Sequence, residues 1–300
     1  MPHPYVINLL NNHESYLKEI QTYIARLPSL STTAAKVLET CNDPKSSPND
    51  LNRVISLDPV LAGQVLRLIN SAYYSLRQPI SSLTRAIIML GINTVKNLVL
   101  SCAILEQLSH KQSFRTLSGE KFWAHSLGVG VIAKCLAKVK GVSLAEQEEF
   151  FICGLLHDLG KIPLNQKFPD EYSQALDMAE RSHWPLNQAE SAVFGIDHAT
   201  VGGWIARKWR LSAPVIESLN CHHRPEESAA DCRQMVFRVA LADIYAQLLN
   251  MRTCEANLTS NALAEYLLGQ LGVDWPELYD LRNTVLDEIE KAKIFLEITQ

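Results

Sequence analysis

Three hundred residues, 47% of them hydrophobic and 20% charged, carry enough apolar side chain for a real core and exclude a disordered chain. The 28 basic and 32 acidic residues leave a net charge of −4, so the whole-chain field favours neither a nucleic-acid phosphate track nor an anionic membrane surface. With 13 glycines and 13 prolines there is little turn chemistry for a many-stranded sandwich or barrel, and helix is the expectation.

The front third reads as short helices divided by explicit stops. Leu27-Pro28 ends the first and Asn42-Asp43-Pro44 the second; Asp58-Pro59 sets an N-cap and an N1 proline before a helix over 60–74. Within it Leu61, Val65, Leu68 and Ile69 recur at helical spacing as one apolar stripe. Ser82 caps a further helix that Gly91 stops. Residues 1–112 hold ten basic and seven acidic side chains, +3 against −7 for the remainder. This asymmetry supports an N-terminal helical bundle over 1–112 and a second bundle over 113–300.

From Ser118 the helices lengthen. Ser118 caps a segment to about 139, Gly141 ends it, and Ser143-Leu144-Ala145-Glu146 forms a capping box for a helix to about 159. Asp197 and Ser212 are further candidate caps, a long helix covers about 234–249, and segments over 260–269 and 276–296 complete a helical tail. No strand alternation, heptad or repeat is sustained, so the chain is predicted to be all-α, with its two parts packed across the short polar stretch 108–117.

The seven cysteines are odd in number, form no C-x-x-C pair and fall mostly in apolar periodic segments. Buried free thiols in a reducing compartment fit that pattern. The first twelve residues lack a basic region before an apolar core, and the most apolar stretch, 87–105, is broken by Asn93, Lys96 and Asn97. Neither a signal peptide nor a membrane span is expected, and the predicted location is cytoplasmic.

The strongest local signal is Gly154-Leu155-Leu156-His157-Asp158-Leu159-Gly160-Lys161. An imidazole and a carboxylate sit side by side at the end of an apolar helix, where glycine releases the chain. Borderline cations favour imidazole nitrogen and a carboxylate can bridge two of them, so this is a candidate centre of a metal site. His125 lies 32 residues earlier; His198, the pair His222-His223, and Asp243 follow on later segments. Asp243 falls in the apolar run Val239-Ala-Leu-Ala-Asp-Ile244, where an uncompensated carboxylate is expensive to bury and a cation would serve as its partner.

In order and context, His125, His157-Asp158 and Asp243 resemble the H…HD…D ligands of the HD superfamily, the all-helical metal-dependent phosphohydrolases and phosphodiesterases. His198 and His222-His223-Arg224-Pro225 look like the additional histidines of its two-metal members. The chain resembles more closely the HDOD family of bacterial signalling output domains, over roughly residues 20–245. The matching pieces are Leu27-Pro28-Ser29-Leu30, Ile55-Ser-Leu-Asp58-Pro59-Val-Leu61, Leu66-Arg-Leu-Ile-Asn70-Ser71-Ala72-Tyr73-Tyr74, Ile80 to Ala86, and Leu90-Gly91.

Two departures qualify what the resemblance implies. HDOD domains typically lack part of the ligand set and are regarded as non-catalytic, whereas here every ligand is kept. Conversely, the Gly-Tyr-Pro element of cyclic di-GMP phosphodiesterases is absent, since His222-His223-Arg224-Pro225 runs on into Glu226-Glu227. Lys121, one helical turn before His125, stands where an acid could have added a ligand, and argues against a third metal.

The resemblance implies a regulatory module with an HD-type metal site, one that binds a ligand or stabilises the fold. The rival reading is a working metal-dependent phosphohydrolase or phosphodiesterase. In the two-metal template, His125, His157, Asp158 and Asp243 hold one ion; Asp158 bridges to a second held by His198, His222 and His223. Asp158 and Lys161 are the candidate catalytic residues, with Lys161 neutralising a phosphate oxygen. A His-rich shell suits one or two first-row divalent ions, Fe or Mn with Zn or Ni as alternatives, over Mg. A signalling protein or small phosphate ligand is the expected partner, with no nucleic acid and no membrane. With no sensory domain attached, any input arrives through a separate molecule.

Plainer roles stand beside these. Adjacent helical side chains diverge by about 100°, so His222 and His223 reach one ion only if the helix ends there. Lys161 could merely complement a helix C-terminus. Cys153 and Cys221 read as small apolar packers, and Arg67, Asn70, Ser71 and Tyr73 as a turn and a contact between the two parts. His3, His13, His110 and His183 carry no functional reading.

Overall fold

The computed structural model describes residues 4–108, 114–251 and 261–298; every regular element among them is helical, as the composition predicts. The first group comprises α1 (Pro4–Arg26), α2 (Thr32–Asn42), α3 (Pro48–Ile55), α4 (Pro59–Ile69), α5 (Leu83–Leu90) and α6 (Ile92–Leu108). After it come α7 (Gly119–Val139), α8 (Leu144–Leu156), α9 (Lys161–Lys167), α10 (Pro169–Ser182), α11 (Leu186–Phe194), α12 (His198–Lys208) and α13 (Ala213–Cys221). The chain continues through α14 (Arg233–Leu248), α15 (Asn261–Leu271), α16 (Trp275–Ala292) and α17 (Ile294–Glu297). His3, His110, Cys254 and the start of the predicted 260–269 helix lie outside the described residues.

Several helix starts fall where cap chemistry puts them. Ser31, Ser47, Asp58, Ser82, Ser118, Asp197 and Asp274 each accept a backbone N–H in the first turn of the helix they open. Gly91, at φ 88°, ends α5 in a conformation that side-chain-bearing residues rarely adopt. At Ser143 only half of the predicted box forms: its hydroxyl accepts from the Glu146 N–H, while the Glu146 carboxylate is held by that same hydroxyl.

Three helices stop short of their predicted ends; α16 ends at Ala292 rather than near 296, before the short α17. The α4 helix ends at Ile69 rather than near 74, because the Asn70 side chain turns aside to clamp Ile80, donating to its carbonyl and accepting from its N–H at 2.7 Å each. The α8 helix ends at Leu156 rather than near 159, which releases His157 and Asp158 into a turn.

Helices α2–α6 pack on one another, and α6 packs on α8. The second group is centred on α7, which meets α8, α14 and α16. Two glycines set the closest of these crossings: a Cβ on Gly154 would lie 2.7 Å from the Gly130 Cα, and one on Gly130 would lie 2.7 Å from the Phe151 carbonyl oxygen. Backbone therefore touches backbone, which brings His125 on α7 within reach of the end of α8. The two groups also exchange their ends, since α1 lies on α9, α11 and α12 while α17 returns to α6. Tyr73, buried between them, meets Phe151 and Phe295 edge-on or tilted and accepts from the Lys134 ammonium, itself paired with buried Glu148.

By length and apolarity α7 is the one described unbroken helix that could cross a membrane, but 78% of its apolar window is buried inside the fold. Its apolar surface is consumed by protein contacts.

Candidate metal centre

All seven sequence-selected ligands come together in one buried cluster drawn from five places in the chain. His125 comes from the interior of α7, His157 and Asp158 from the turn after α8, His198 from the first turn of α12, His222 and His223 from the turn after α13, and Asp243 from α14. The α13 helix ends at Cys221, so the two adjacent histidines escape the helical divergence: the Nε2 atoms of His222 and His223 lie 3.3 and 3.0 Å from that of His198.

Asp158 divides the cluster. Its Oδ2 lies 3.5 Å from the His125 Nε2 and 3.4 Å from the His157 Nε2, while Oδ1 lies 3.1 Å from the His198 Nε2 and 3.8 Å from the His222 Nε2. Asp243 stands on the first side, 3.2 Å from the His125 Nε2. Three donor groups result, each with its donor atoms within 4.8 Å of one another: His125, His157 and Asp243 on one side, His198, His222 and His223 on the other, and His157, Asp158 and His222 across the middle. The Asp158 carboxylate faces both outer groups.

Four of the five rings have Nδ1 engaged elsewhere. His125 donates to the Met251 carbonyl at 2.7 Å, His157 to the Gly154 carbonyl at 2.7 Å, and His222 to the Ser218 and Leu219 carbonyls at 3.1 and 3.0 Å. His198 donates to the Glu190 carboxylate at 2.5 Å. With the proton on Nδ1, His157 and His222 present an Nε2 lone pair to the centre, the tautomer a metal ligand requires, while the Nε2 atoms of His125 and His198 face the Asp243 and Asp158 carboxylates. The buried Nε2 of His157 has no hydrogen-bond partner at all. A buried, orphaned imidazole nitrogen between two carboxylates is costly for protein alone and fits a cation. The residues present fit the metal that the resemblance implies.

The electrostatics follow. Burial holds His157 below the usual imidazole range; His222 falls to about 3 through burial and the neighbouring His157 and His198, and His223 is also pushed far down. Burial also opposes charge on His198, yet the Glu190 carboxylate and the Asp158 contact raise it to about 9. Asp158 and Asp243 stay ionised against their burial, the first beside His157 and Lys161 and the second through the His125 hydrogen bond.

These directions give a test on metal-free protein. Imidazoles held neutral in the fold take up protons only on unfolding, so their stabilisation is present above about pH 6.5 and declines as pH falls below it. His198 acts in the opposite sense: its contribution is complete below about 6.5 and is lost as pH rises through about 9. Urea unfolding of the chelator-treated chain should therefore show stability falling steadily from pH 6.5 to 4.5. A flat profile over that range contradicts the buried neutral histidines.

Lys161 opens α9, so it complements no helix C-terminus. Its ammonium lies 2.6 Å from Asp158 Oδ2, buried beside the carboxylate that divides the cluster. Lys121 is exposed. Cys153 and Cys221 are buried, with burial pushing both thiols up, and neither belongs to a candidate donor group.

Glu190 and the backbone carbonyls of Gly154, Ser218, Leu219 and Met251 escape the sequence reading. For Glu190 a signal exists. It falls on the apolar stripe of Leu186, Ala189 and Phe194, the same anomaly that singles out Asp243. A backbone carbonyl carries no sequence signal.

The sequence matches the model of the HDOD domain over residues 27–225, two-thirds of the chain. The chain belongs to the HDOD family. Solved structures agree in fold. A Geobacter sulfurreducens HDOD domain protein of unknown function is 26% identical, with a TM-score of 0.73 over 95% of this chain and 99% of that one. A Shewanella amazonensis protein, provisionally named a phosphohydrolase, shares the fold at 22% identity and TM-score 0.71, over 94% of this chain and 98% of its own. Among curated proteins, one from Treponema pallidum with no assigned role is 24% identical over 76% of this HDOD chain and 43% of its own length. Ribonuclease Y of Mycoplasma mycoides is 26% identical over 59% of this chain and 33% of its own. The HDOD chain thus spans less than half the length of these two relatives.

Proposed function

We propose that this chain is a regulatory HDOD module of the bacterial cytoplasm whose HD-type centre holds one or two first-row divalent ions, Fe or Mn in preference to Zn or Ni. In this reading the ions tie α7, α8, α12, α13 and α14 together, and the module responds to a signalling protein or a small phosphate ligand. The carrying observation is a donor set that is complete yet closed. His125, His157, Asp158, His198, His222 and Asp243 are each at most 4% exposed, and only His223 reaches partly to the surface. Catalytic metal sites keep a position open to substrate, whereas structural ones are closed.

A second reading, a phosphohydrolase or phosphodiesterase, is favoured by the way Asp158 presents one oxygen to each outer donor group. A pair of ions so bridged supplies a nucleophile at neutral pH and neutralises phosphoryl oxygens. The chain's own part would be to orient the pair through Asp158, to hold a cation at Lys161, and to admit a phosphate past His223.

The test is hydrolysis by chain loaded with Mn(II) or Fe(II), assayed on generic phosphodiesters, cyclic nucleotides and, given the likeness to ribonuclease Y, a short RNA. Bound metal without turnover on any of them supports the regulatory reading. Turnover abolished by both His157→Ala and Asp158→Ala overturns it in favour of the enzyme.

A further inference from the structure

The two ends of the cluster differ in what stands behind their histidines. His125, His157 and His222 lean on neutral backbone carbonyls. His198 alone leans on a carboxylate. Glu190 Oε2 accepts both from its Nδ1, at 2.5 Å, and from its backbone N–H, at 2.8 Å, while Oε1 accepts from the Tyr172 hydroxyl at 2.9 Å. Glu190 and Tyr172 are both fully buried. Its charge is met by the His198 imidazole, the His198 amide and the Tyr172 hydroxyl.

A fully buried carboxylate is costly to maintain for packing alone. Its place in the fold shows what it is arranged around. Tyr172 comes from α10 and Glu190 from α11, and the turn through Gly195 delivers the chain straight to Asp197, which caps α12, and to His198. The α10–α11 pair therefore supplies the wall behind one ligand. A carboxylate on the far nitrogen of a ligating imidazole fixes the ring and raises the basicity of the near nitrogen.

We propose that Glu190 is a positioning residue that sets the metal affinity of the His198–His222–His223 end selectively, leaving the His125–His157–Asp243 end to its carbonyl-held rings. The inference rests on the metal reading above and adds that the two ends are unequal by construction. Removing the carboxylate weakens one equivalent of metal and spares the other.

The experiment is Mn(II) titration of the full chain, with free ion followed by electron paramagnetic resonance, comparing the unmodified protein, Glu190→Gln and His223→Ala. His223→Ala identifies which equivalent belongs to the His198 end. Glu190→Gln should weaken that equivalent about 10–100-fold and leave the other within about twofold. Equal weakening of both equivalents assigns Glu190 a merely structural role and overturns the proposal, as does no change in either. Should the amide variant fail to fold, Glu190→Asp, which keeps the charge but draws it back from His198, must show the same one-sided loss. An unmodified chain that takes up no Mn(II) refutes the metal reading itself, a result distinct from two equivalents that respond alike.

Discussion

Asp158→Ala should lose metal from both ends of the cluster, a drop of at least about 100-fold in affinity for each, because this carboxylate alone faces both outer donor groups. The same change removes the counter-charge 2.6 Å from the buried Lys161 ammonium. Breaking a buried pair by deleting one partner costs about 3–5 kcal/mol, so the unfolding midpoint should fall together with the metal content. Elemental analysis and thermal unfolding of the same preparation separate the two effects. A variant that keeps one full equivalent of metal contradicts the dividing role of Asp158. His223→Ala is the natural contrast: it removes a partly exposed ring from one end only and should spare the other.

Gly160→Ala should be the most damaging single methyl in this region. A Cβ there would lie 1.9 Å from the His198 carbonyl oxygen and 2.6 Å from the Gly202 nitrogen, and both obstacles are backbone of α12. No rotamer change relieves the clash, so α12 must move away from the turn that holds His157 and Asp158. A loss of at least about 3 kcal/mol, the upper end of ordinary overpacking, is expected in urea unfolding. Because the displaced helix carries His198, metal should be lost first from the His198–His222–His223 end. Gly63→Ala serves as the control: nothing lies within 4 Å of a Cβ at that helical position, and the change should be neutral or stabilising by up to about 1 kcal/mol. If Gly160→Ala proves as harmless as Gly63→Ala, the close approach of α12 to the HD turn is wrong.

The chemistry that local sequence encodes was legible. Serine and aspartate caps fix the starts of helices because the capping atoms lie within three residues of their partners. Asp243 stands out because a carboxylate on an apolar helix face demands a partner. The grouping of His198 with His222 and His223 was less accessible, since it depends on α13 stopping at Cys221, and adjacent histidines on a continuing helix would diverge. The segment from 161 to 196, which the sequence reading leaves without elements, folds into α9, α10 and α11. Those helices are short and pack through long-range contacts: α1 covers α9 and α11, and the side chain of Asn165 on α9 accepts from the N–H groups of Thr116 and Leu117. Glu190 sits in that segment, so its role appears only once α11 is laid against His198. The early end of α8 likewise reflects tertiary context, because Gly160 must lie against α12 and a continued helix would carry it elsewhere.

The central claim is that this HDOD chain carries a two-sided His/Asp metal centre, and the most direct test is the metal content of the purified full chain. Elemental analysis after incubation with Mn(II) or Fe(II) and removal of free ion should find about two first-row ions per chain, falling to near zero in Asp158→Ala. A chain that retains no stoichiometric metal under those conditions, or an Asp158→Ala variant that retains as much as the unmodified protein, would contradict the account.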